Sequence, residues 1–255
     1  MTDQQTRATQ FHALHVAGTP LILFNVWDAG SARAVAAANA PALATGSWSV
    51  AAAHGLGDGE NLPLDLAIAN LERIVAVTDL PVSIDIEKGY DDPGRTAART
   101  IEAGAIGCNI EDSLPRDGGL RTIAEQAARI RQVRQAAETA GIAYFINART
   151  DPFFQKDAQA PADRLRAALE RARAYADAGA DGLFVPGLAD FELIAELTAA
   201  SPLPVNIMLG AGSPPPARFA EAGVARLSYG PAPYFIAMQA LEAAAVEALG
   251  GSGLG

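Results

Sequence analysis

The chain alternates between short apolar runs and longer segments in which apolar residues recur at helical spacing. Short apolar runs between turn residues predict buried strands, and longer stretches rich in good helix formers predict helices. The eight predicted strands are 21–25, 42–45, 82–87, 106–111, 144–148, 182–185, 204–207 and 225–228. The eight predicted helices are 31–40, 64–77, 95–103, 123–140, 161–178, 190–199, 215–222 and 233–249.

The order of these elements predicts a closed barrel. Three predicted helices end on a similar joint, in which Gly104, Gly179 or Gly223 comes just before the next strand and relieves a left-handed backbone. Repeated βα units with continuous apolar strands predict a single-domain (β/α)8 TIM barrel over residues 1–255. An open doubly wound sheet is the alternative, but the first loop, NVWDAGS, has no glycine-rich phosphate turn. Residues 1–7 and 250–255 are expected to be flexible.

Composition and charge restrict the partners of the chain. A formal net charge of −10 opposes nucleic-acid binding, and an anionic substrate would need a bound cation or a local arginine. The single cysteine, Cys108, allows neither an intramolecular disulfide nor a cysteine-based zinc cluster. No run approaches the roughly 18 apolar residues that a membrane span requires. We therefore expect a cytoplasmic protein that binds neither nucleic acid nor membranes.

Polar residues follow the predicted strands at their carboxyl ends, where barrel enzymes place their active sites. Asp85 and Glu87 are two residues apart in a predicted strand, so both should point to the barrel axis, because charges against the outer helices would be costly. Together with Glu111 they would repel one another unless a divalent cation lay among them, and oxygen ligands favour Mg²⁺ or Mn²⁺. The alternative is that they pair with Arg149 or Lys88.

Arg149 follows the apolar strand in FINART, at the same end of the barrel. Its planar guanidinium could bind the carboxylate of a substrate through two parallel hydrogen bonds. A structural pairing with Glu111 is the alternative, and both roles are compatible. Arg149 thus meets the need for local positive charge.

Five motifs occur in a fixed order along the chain: NVWDAGSAR, TGSWSVAAAHGLGD, DIEKGY, GCNIED and NARTD. In this order and at these barrel positions, the chain resembles the isocitrate lyase/phosphoenolpyruvate mutase superfamily, whose members make or break C–C or C–P bonds next to a carboxylate. The resemblance covers nearly the whole chain. It implies an enzyme that uses Mg²⁺ to stabilise an enolate.

The resemblance also implies a role for each matching acidic residue. Asp85 matches the principal aspartate of the metal site, and Glu87 stands where the family usually has a second aspartate. Glu111 matches the glutamate of the metal shell. Asp58 matches an acidic residue close to metal and substrate, so Asp58, Glu87 and Arg149 are catalytic candidates.

The implied substrate-binding residues lie on other strands. Thr45, Gly46 and Ser47 match the loop that holds the carboxylate and oxo group of the substrate. Asp85 would share in this contact, and Arg149 and Asn206 match residues that bind the substrate carboxylate. Trp27 and Asp28 match the loop after strand one.

One family feature is missing from the sequence. The lyase branch carries a Lys-Lys/Arg-Cys-Gly-His signature after strand four, whereas this chain reads IEDSLPRDGGLRTIAEQ there. Cys108 lies within a predicted strand and is expected to be an inert apolar residue. Candidates for the proton carrier are therefore His54, Tyr90, Arg116 and Asp117; a lone histidine such as His54 is alternatively a turn residue.

Three functions remain open at this point. The first is a Mg²⁺-dependent carbon–carbon lyase or decarboxylase acting on a small 2-hydroxy- or 2-oxo-dicarboxylate or tricarboxylate. The second is a mutase or hydrolase of the phosphonopyruvate type, and the third is a 2-oxo acid binding protein with little catalysis. The apolar helix 233–249 and the resemblance favour a homo-oligomer, either a dimer or a tetramer.

Overall fold

The structure is a computed structural model that describes residues 3–114 and 119–251. Its strands are β1 Leu21–Leu23, β2 Leu43–Ala44, β3 Val82–Asp85, β4 Gly107–Glu111, β5 Phe145–Arg149, β6 Gly182–Phe184, β7 Val205–Met208 and β8 Arg226–Ser228. Its helices are α1 Asp3–Ala13, α2 Ala29–Ala37, α3 Ser47–Ala53, α4 Leu64–Val75, α5 Pro93–Glu102, α6 Ile123–Ala140, α7 Pro161–Asp177, α8 Phe191–Ala200, α9 Pro216–Glu221 and α10 Ala232–Leu249. A short 3-10 helix covers Pro152–Phe154.

The eight described strands form one parallel sheet in the order β1-β8-β7-β6-β5-β4-β3-β2. A parallel bridge between Val26 and Thr45, just beyond the ends of β1 and β2, joins the two outer strands of this order. Parallel strands alternating with helices, and a sheet that closes on itself, confirm the predicted (β/α)8 barrel.

Apolar side chains fill the amino end of the barrel. Leu21, Leu23 and Phe145 form a buried cluster there with Phe11 of α1. The rings of Phe11 and Phe145 meet edge to face, with centroids 5.4 Å apart. Helix α1 packs against this end of the barrel. Polar side chains meet at the opposite end, which the carboxyl ends of the strands form.

Helix α1 begins within residues 1–7, the segment that was expected to be flexible. It begins at Asp3, and the side-chain amide of Gln4 donates hydrogen bonds to the carbonyl oxygens of Ile101 and Ala105 at 2.8 and 2.9 Å. These bonds tie the start of the chain to the end of α5. At the other end of the chain, residues 252–255 lie outside the described part.

Strand β3 is shorter than predicted. It ends at Asp85, and Glu87, Gly89 and Tyr90 have positive φ angles of 52°, 91° and 54°. The prediction that Glu87 belongs to this strand was therefore wrong, because Glu87 lies in a left-handed turn. Asp85 and Glu87 nevertheless line one small cavity together with Tyr90. Helix α3, directly after Gly46, was not predicted.

Helix α10 exposes apolar side chains to an unusual extent. Among its described residues only Pro233 is buried, whereas Ile236 is 59% and Leu241 62% exposed. No helix in residues 3–114 and 119–251 is long and apolar enough to cross a membrane.

Candidate active site

A cavity of about 220 Å³ opens at the carboxyl ends of the strands. It combines residues from the loops after β1, β2, β5 and β8 with residues of β3 to β8. The lining residues are Asn25, Gly46, Ser47, Trp48, Asp58, Asp85, Asn109, Arg149, Phe154, Phe184, Met208, Ser228, Gly230 and Pro231.

The loop after β2 holds Asp85 in place. The backbone N–H of Ser47 donates to Oδ2 of Asp85 at 3.2 Å, and the N–H of Asp85 donates to Oγ1 of Thr45 at 3.0 Å. Oδ1 of Asp85 accepts the N–H of Glu87 at 3.0 Å. Thr45 and Ser47, predicted to bind substrate, therefore position the aspartate, and the N–H of Ser47 is already engaged. Gly46 lines the cavity beside them.

Negative charge collects at Asp85 and the two carboxylates near it, Asp58 and Glu87. Loss of solvent raises the pKa of Asp58, and the charge of Asp85 raises it further, although Asp58 as a residue is exposed. Burial raises the pKa of Glu87 to about 8, and the charges of Asp85 and Asp58 add to this effect. Close negative charges favour protonation of one another. This part of the site therefore attracts either protons or a cation.

Glu60 locks the left-handed turn that contains Glu87. The N–H of Glu60 donates to Oε2 of Glu87 at 2.5 Å, and Oε1 of Glu60 accepts the N–H of Tyr90 at 2.7 Å. Glu60 itself has a φ of 64°. Left-handed backbone costs about 1–2 kcal/mol for a residue with a side chain. These bonds stabilise the strained conformation. The role of Glu60 could not be predicted from the sequence, because its partners are about 30 residues away in the chain.

Glu111 lies between two cations. The Nζ of Lys88 is 3.3 Å from Oε1 of Glu111, and Nη1 of Arg149 is 2.8 Å from Oε2. Burial acts to lower the pKa of Lys88, but Glu111 and Glu87 raise it above its usual value. Burial raises the pKa of Glu111 to about 7, and Arg149 opposes this rise. The contacts of Glu111 are therefore those of the alternative prediction, in which Glu111 pairs with Arg149 or Lys88.

The fork of Arg149 binds Asp151. Nε and Nη2 donate to the two oxygens of Asp151 at 2.8 and 2.9 Å. With the ion pair between Nη1 and Glu111, the contacts of Arg149 to described residues engage all three of its nitrogens and three of its five N–H donors. A substrate carboxylate therefore has two donors left, not the free bidentate fork that the sequence suggested.

Asp112 is a buried acceptor that holds Asp151 in position. Its Oδ2 accepts hydrogen bonds from the hydroxyls of Thr150 and Tyr175 at 2.6 and 2.8 Å, and from Arg171 at 2.9 Å. Its Oδ1 accepts the N–H of Asp151 at 3.2 Å. Asp112 is fully buried, so its contacts fix Asp151 and, through it, Arg149.

The donor atoms are of the type that a hard divalent cation prefers, but their present spacing does not suit one. Asp58, Asp85 and Glu87 offer only oxygen, the donor that Mg²⁺ and Mn²⁺ prefer. Within residues 3–114 and 119–251, however, no three His, Cys, Asp or Glu side chains converge closely enough to hold a metal ion. The predicted group of Asp85, Glu87 and Glu111 is not assembled, since Lys88 and Arg149 hold Glu111. Asp85 keeps further acceptor capacity on both oxygens.

Several predicted residues lie outside the cavity lining. Asn206 is buried and exchanges hydrogen bonds with the hydroxyl of Ser228 at 3.0 and 3.1 Å. Trp27 packs against the ring of Tyr234, with centroids 5.2 Å apart. Asp28 caps α2 by accepting the N–H of Ser31 at 2.7 Å. These residues support the mouth of the barrel and its neighbouring helix.

The candidates for the missing proton carrier are also dispersed. His54 is exposed at the end of α3, where its Nδ1 lies 2.9 Å from the carbonyl oxygen of Val50. The hydroxyl of Tyr90 donates to the carbonyl of Leu62 at 3.2 Å, and burial raises the pKa of Tyr90. Burial raises the pKa of Cys108 to about 12, which agrees with an inert strand residue. Arg116 and Asp117 lie outside the described residues.

Comparisons with known proteins decide the family. The family model described as Phosphoenolpyruvate phosphomutase matches residues 11–249. The chain belongs to the phosphoenolpyruvate phosphomutase family. The resemblance to the isocitrate lyase/phosphoenolpyruvate mutase superfamily is therefore confirmed, and with it the prediction of an enzyme of the carbon–carbon lyase and mutase type.

Three similar proteins illustrate the range of this family. An uncharacterized protein of Mycobacterium tuberculosis strain H37Rv is 38% identical over 92% of this chain and 87% of its own. The 2-methylisocitrate lyase of Salmonella typhimurium is 30% identical over 76% of this chain and 67% of its own. A crystal structure from Burkholderia cenocepacia, provisionally described as a phosphonomutase, is 57% identical, with a TM-score of 0.93 over 96% of this chain and 99% of its own.

Proposed function

We propose that this member of the phosphoenolpyruvate phosphomutase family is a Mg²⁺-dependent carbon–carbon lyase or decarboxylase. Its substrate is a small 2-oxo or 2-hydroxy carboxylate, and the reaction passes through an enolate. The observation that supports this best is one cavity that contains both Asp85 and Arg149. An anionic side that attracts a cation and an arginine with free N–H donors are the two features that such a substrate needs.

Different residues of the cavity bind the substrate carboxylate and the divalent cation. The two remaining N–H donors of Arg149 bind the substrate carboxylate, and its contacts to Asp151 and Glu111 fix their direction. Asp85, with Asp58 and Glu87 near it, holds the divalent cation. When bound, Mg²⁺ supplies positive charge for the developing enolate oxygen.

Asp58 is the proposed proton carrier. It lines the cavity, and both loss of solvent and the charge of Asp85 raise its pKa. A carboxyl whose pKa is raised can carry a proton nearer to neutral pH, as general acid–base catalysis requires. Among the described candidates, His54 and Tyr90 do not line this cavity.

The wall around Arg149 is apolar and suits a substrate with an alkyl substituent. The rings of Phe154 and Phe184 lie with their centroids 5.7 and 5.9 Å from the guanidinium carbon of Arg149. Trp48 and Met208 also line the cavity. Burying a methyl group against such a wall favours its binding by about 1 kcal/mol.

Carbon–phosphorus chemistry is the second candidate. It is favoured by the 57% identity to the Burkholderia cenocepacia protein that is provisionally described as a phosphonomutase. Phosphorus NMR with phosphonopyruvate separates the two. A new phosphorus signal would support this candidate, and an unchanged spectrum would leave the lyase.

The test of the lyase is turnover on a panel of acids that includes 2-methylisocitrate, isocitrate, oxaloacetate and alkyl-substituted malates. We expect activity on at least one of them, loss of activity with a chelator, and at least a hundredfold loss in Asp85→Ala and Asp58→Asn. Asp79→Asn alters an exposed aspartate and should retain full activity. Turnover that persists in a chelator would contradict the proposal. A thermal shift without turnover across the panel would instead support a 2-oxo acid binding protein.

A further inference from the structure

Lys88 places a positive charge inside the group of carboxylates. It is only 5% exposed, and its Nζ is 3.3 Å from Glu111 and 4.0 Å from Glu87. Glu87 and Glu111 are two of the three residues that the family resemblance assigns to the metal site. The ammonium group therefore lies close to two of the carboxylates that the resemblance places around a common cation.

The backbone fixes this inward position. Lys88 lies in the turn in which Glu87, Gly89 and Tyr90 all have positive φ angles. Nη2 of Arg129 donates to the carbonyl oxygens of Lys88 and Tyr90 at 2.5 and 3.0 Å, which holds the turn from the side of α6. A Cβ at position 89 would lie 2.8 Å from Cβ of Pro93, so a side chain is excluded there.

Burial makes the contacts of Lys88 obligatory. A lysine that is taken out of water is stable only when carboxylates pair with it, and the loss of one partner of a buried pair is strongly unfavourable. Glu111 is also held by Arg149 at 2.8 Å. Moving Glu111 toward a metal ion would break both contacts, so Glu111 is committed to the two cations.

We propose that Lys88 is an internal cation that keeps Glu111 out of the metal shell and sets the affinity of the site for divalent ions. A divalent cation then depends on Asp85 with Asp58 and Glu87, and it is repelled by a fixed positive charge close by. The inference rests on the proposed function only for the presence of a divalent cation. It predicts that the chain binds such ions more weakly than the same site would without Lys88.

A purely structural salt bridge predicts the opposite result. If Lys88 only stabilised the turn, its removal would loosen Glu87 and would weaken or leave unchanged the binding of a cation. If Lys88 acts as a competing cation, Lys88→Met removes its charge, retains most of its length and tightens binding. A fixed positive charge repels a divalent cation close by, so we expect the affinity to rise at least tenfold when that charge is removed.

The experiment is a titration of the full chain with Mn²⁺ at pH 8 and constant ionic strength, with free Mn²⁺ measured by electron paramagnetic resonance. Lys156→Met is the matched control, because it makes the same change at an exposed lysine and should alter the affinity less than twofold. Lys88→Arg keeps the charge and should bind Mn²⁺ within about threefold of the unmodified chain. Circular dichroism verifies folding, and Lys88→Gln replaces Lys88→Met if the latter does not fold.

Equal or weaker binding of Mn²⁺ by the charge-removing variant would overturn the inference, and so would the absence of binding in every protein. Tighter binding in Lys88→Met alone would support it. Because no turnover is measured, the outcome is separate from that of the proposed function. A chain that turns over acids in a chelator would refute the metal-dependent lyase even if Lys88→Met bound Mn²⁺ more tightly.

Discussion

Glu87 should make the stability of the protein fall as the pH rises. Burial and the charges of Asp85 and Asp58 raise its pKa from 4.5 to about 8. Between these values the folded chain keeps a proton on Glu87 that the unfolded chain has released. The folded state is therefore favoured at low pH, and the advantage is lost progressively as the pH rises from 4.5 and is gone once the pH exceeds about 8. At about 1.4 kcal/mol per pH unit, the loss attributable to Glu87 is up to roughly 5 kcal/mol.

Urea denaturation at pH 5, 6, 7, 8 and 9 in a chelator measures this loss, which is large beside the usual 5–15 kcal/mol of a folded protein. Glu87→Gln carries no charge at any pH, so its free energy of unfolding should lack this part of the pH dependence. The exposed Glu72→Gln is the control and should follow the unmodified chain. If Glu87→Gln and the unmodified chain lose stability in parallel from pH 5 to pH 9, the assigned origin is wrong.

A divalent cation should oppose the same loss. Cations bind ionised carboxylates, so Mg²⁺ should displace the proton of Glu87 and stabilise the folded chain more at pH 8 than at pH 5. Asp85→Ala should remove the effect of Mg²⁺. Without metal, the free energy of unfolding of this variant should also depend less on pH, because Asp85 no longer raises the pKa of Glu87. A stabilisation by Mg²⁺ that is the same at both pH values would contradict this origin.

Further predictions concern the anchor of the site, its arginine and the exposed helix. Asp112→Ala should lower the free energy of unfolding by about 3–5 kcal/mol in urea, because it leaves Arg171 without its buried partner; a loss below about 1 kcal/mol would refute this. Arg149→Lys should weaken the binding of oxalate at least tenfold by calorimetry, since an ammonium cannot contact Asp151, Glu111 and the acid together as the guanidinium can, and unchanged binding would place the acid elsewhere. The chain should sediment as a homo-oligomer, and Ile236→Asp with Leu241→Asp should shift it toward the monomer; a monomeric unmodified chain would contradict this.

Most of the fold could be predicted because strand and helix signals agree along the chain. All eight strands lie within two residues of their predicted ends, since apolar runs such as 106–111 and 182–185 leave little choice. The early end of β3 has a consequence for the site, because it removes Glu87 from the strand. The run from Val82 to Glu87 alternates like a strand, but contacts from Glu60 and Arg129 hold Glu87 and the following residues in a left-handed turn. A contact between distant segments thus overrides the local pattern.

The location of the site could be predicted from the sequence better than the ion pairs and hydrogen bonds within it. Strand ends place Asp85, Glu111 and Arg149 at one end of the barrel, as the structure has them. Their partners depend on distances that no periodicity contains. Asp151, however, is only two residues from Arg149, and the segment Arg-Thr-Asp offered a signal that an acidic group competes for the fork. Asn109, two residues before Glu111 on β4, could likewise have been found by strand alternation.

Charge balance at the barrel mouth explains why these details matter for function. Among the described residues around the cavity, carboxylates outnumber cations: Asp58, Glu60, Asp85, Glu87, Glu111 and Asp151 against Lys88, Arg149 and the buried Arg226, which interacts with Asp85. Lys88 and Arg149 pair with Glu111 and Asp151, so Asp58, Asp85 and Glu87 are left to share protons or a divalent ion. A substrate acid adds negative charge. It cannot approach three ionised carboxylates unless protons or a divalent ion neutralise them. The same side chains that raise one another's pKa therefore make the binding of acid and cation interdependent.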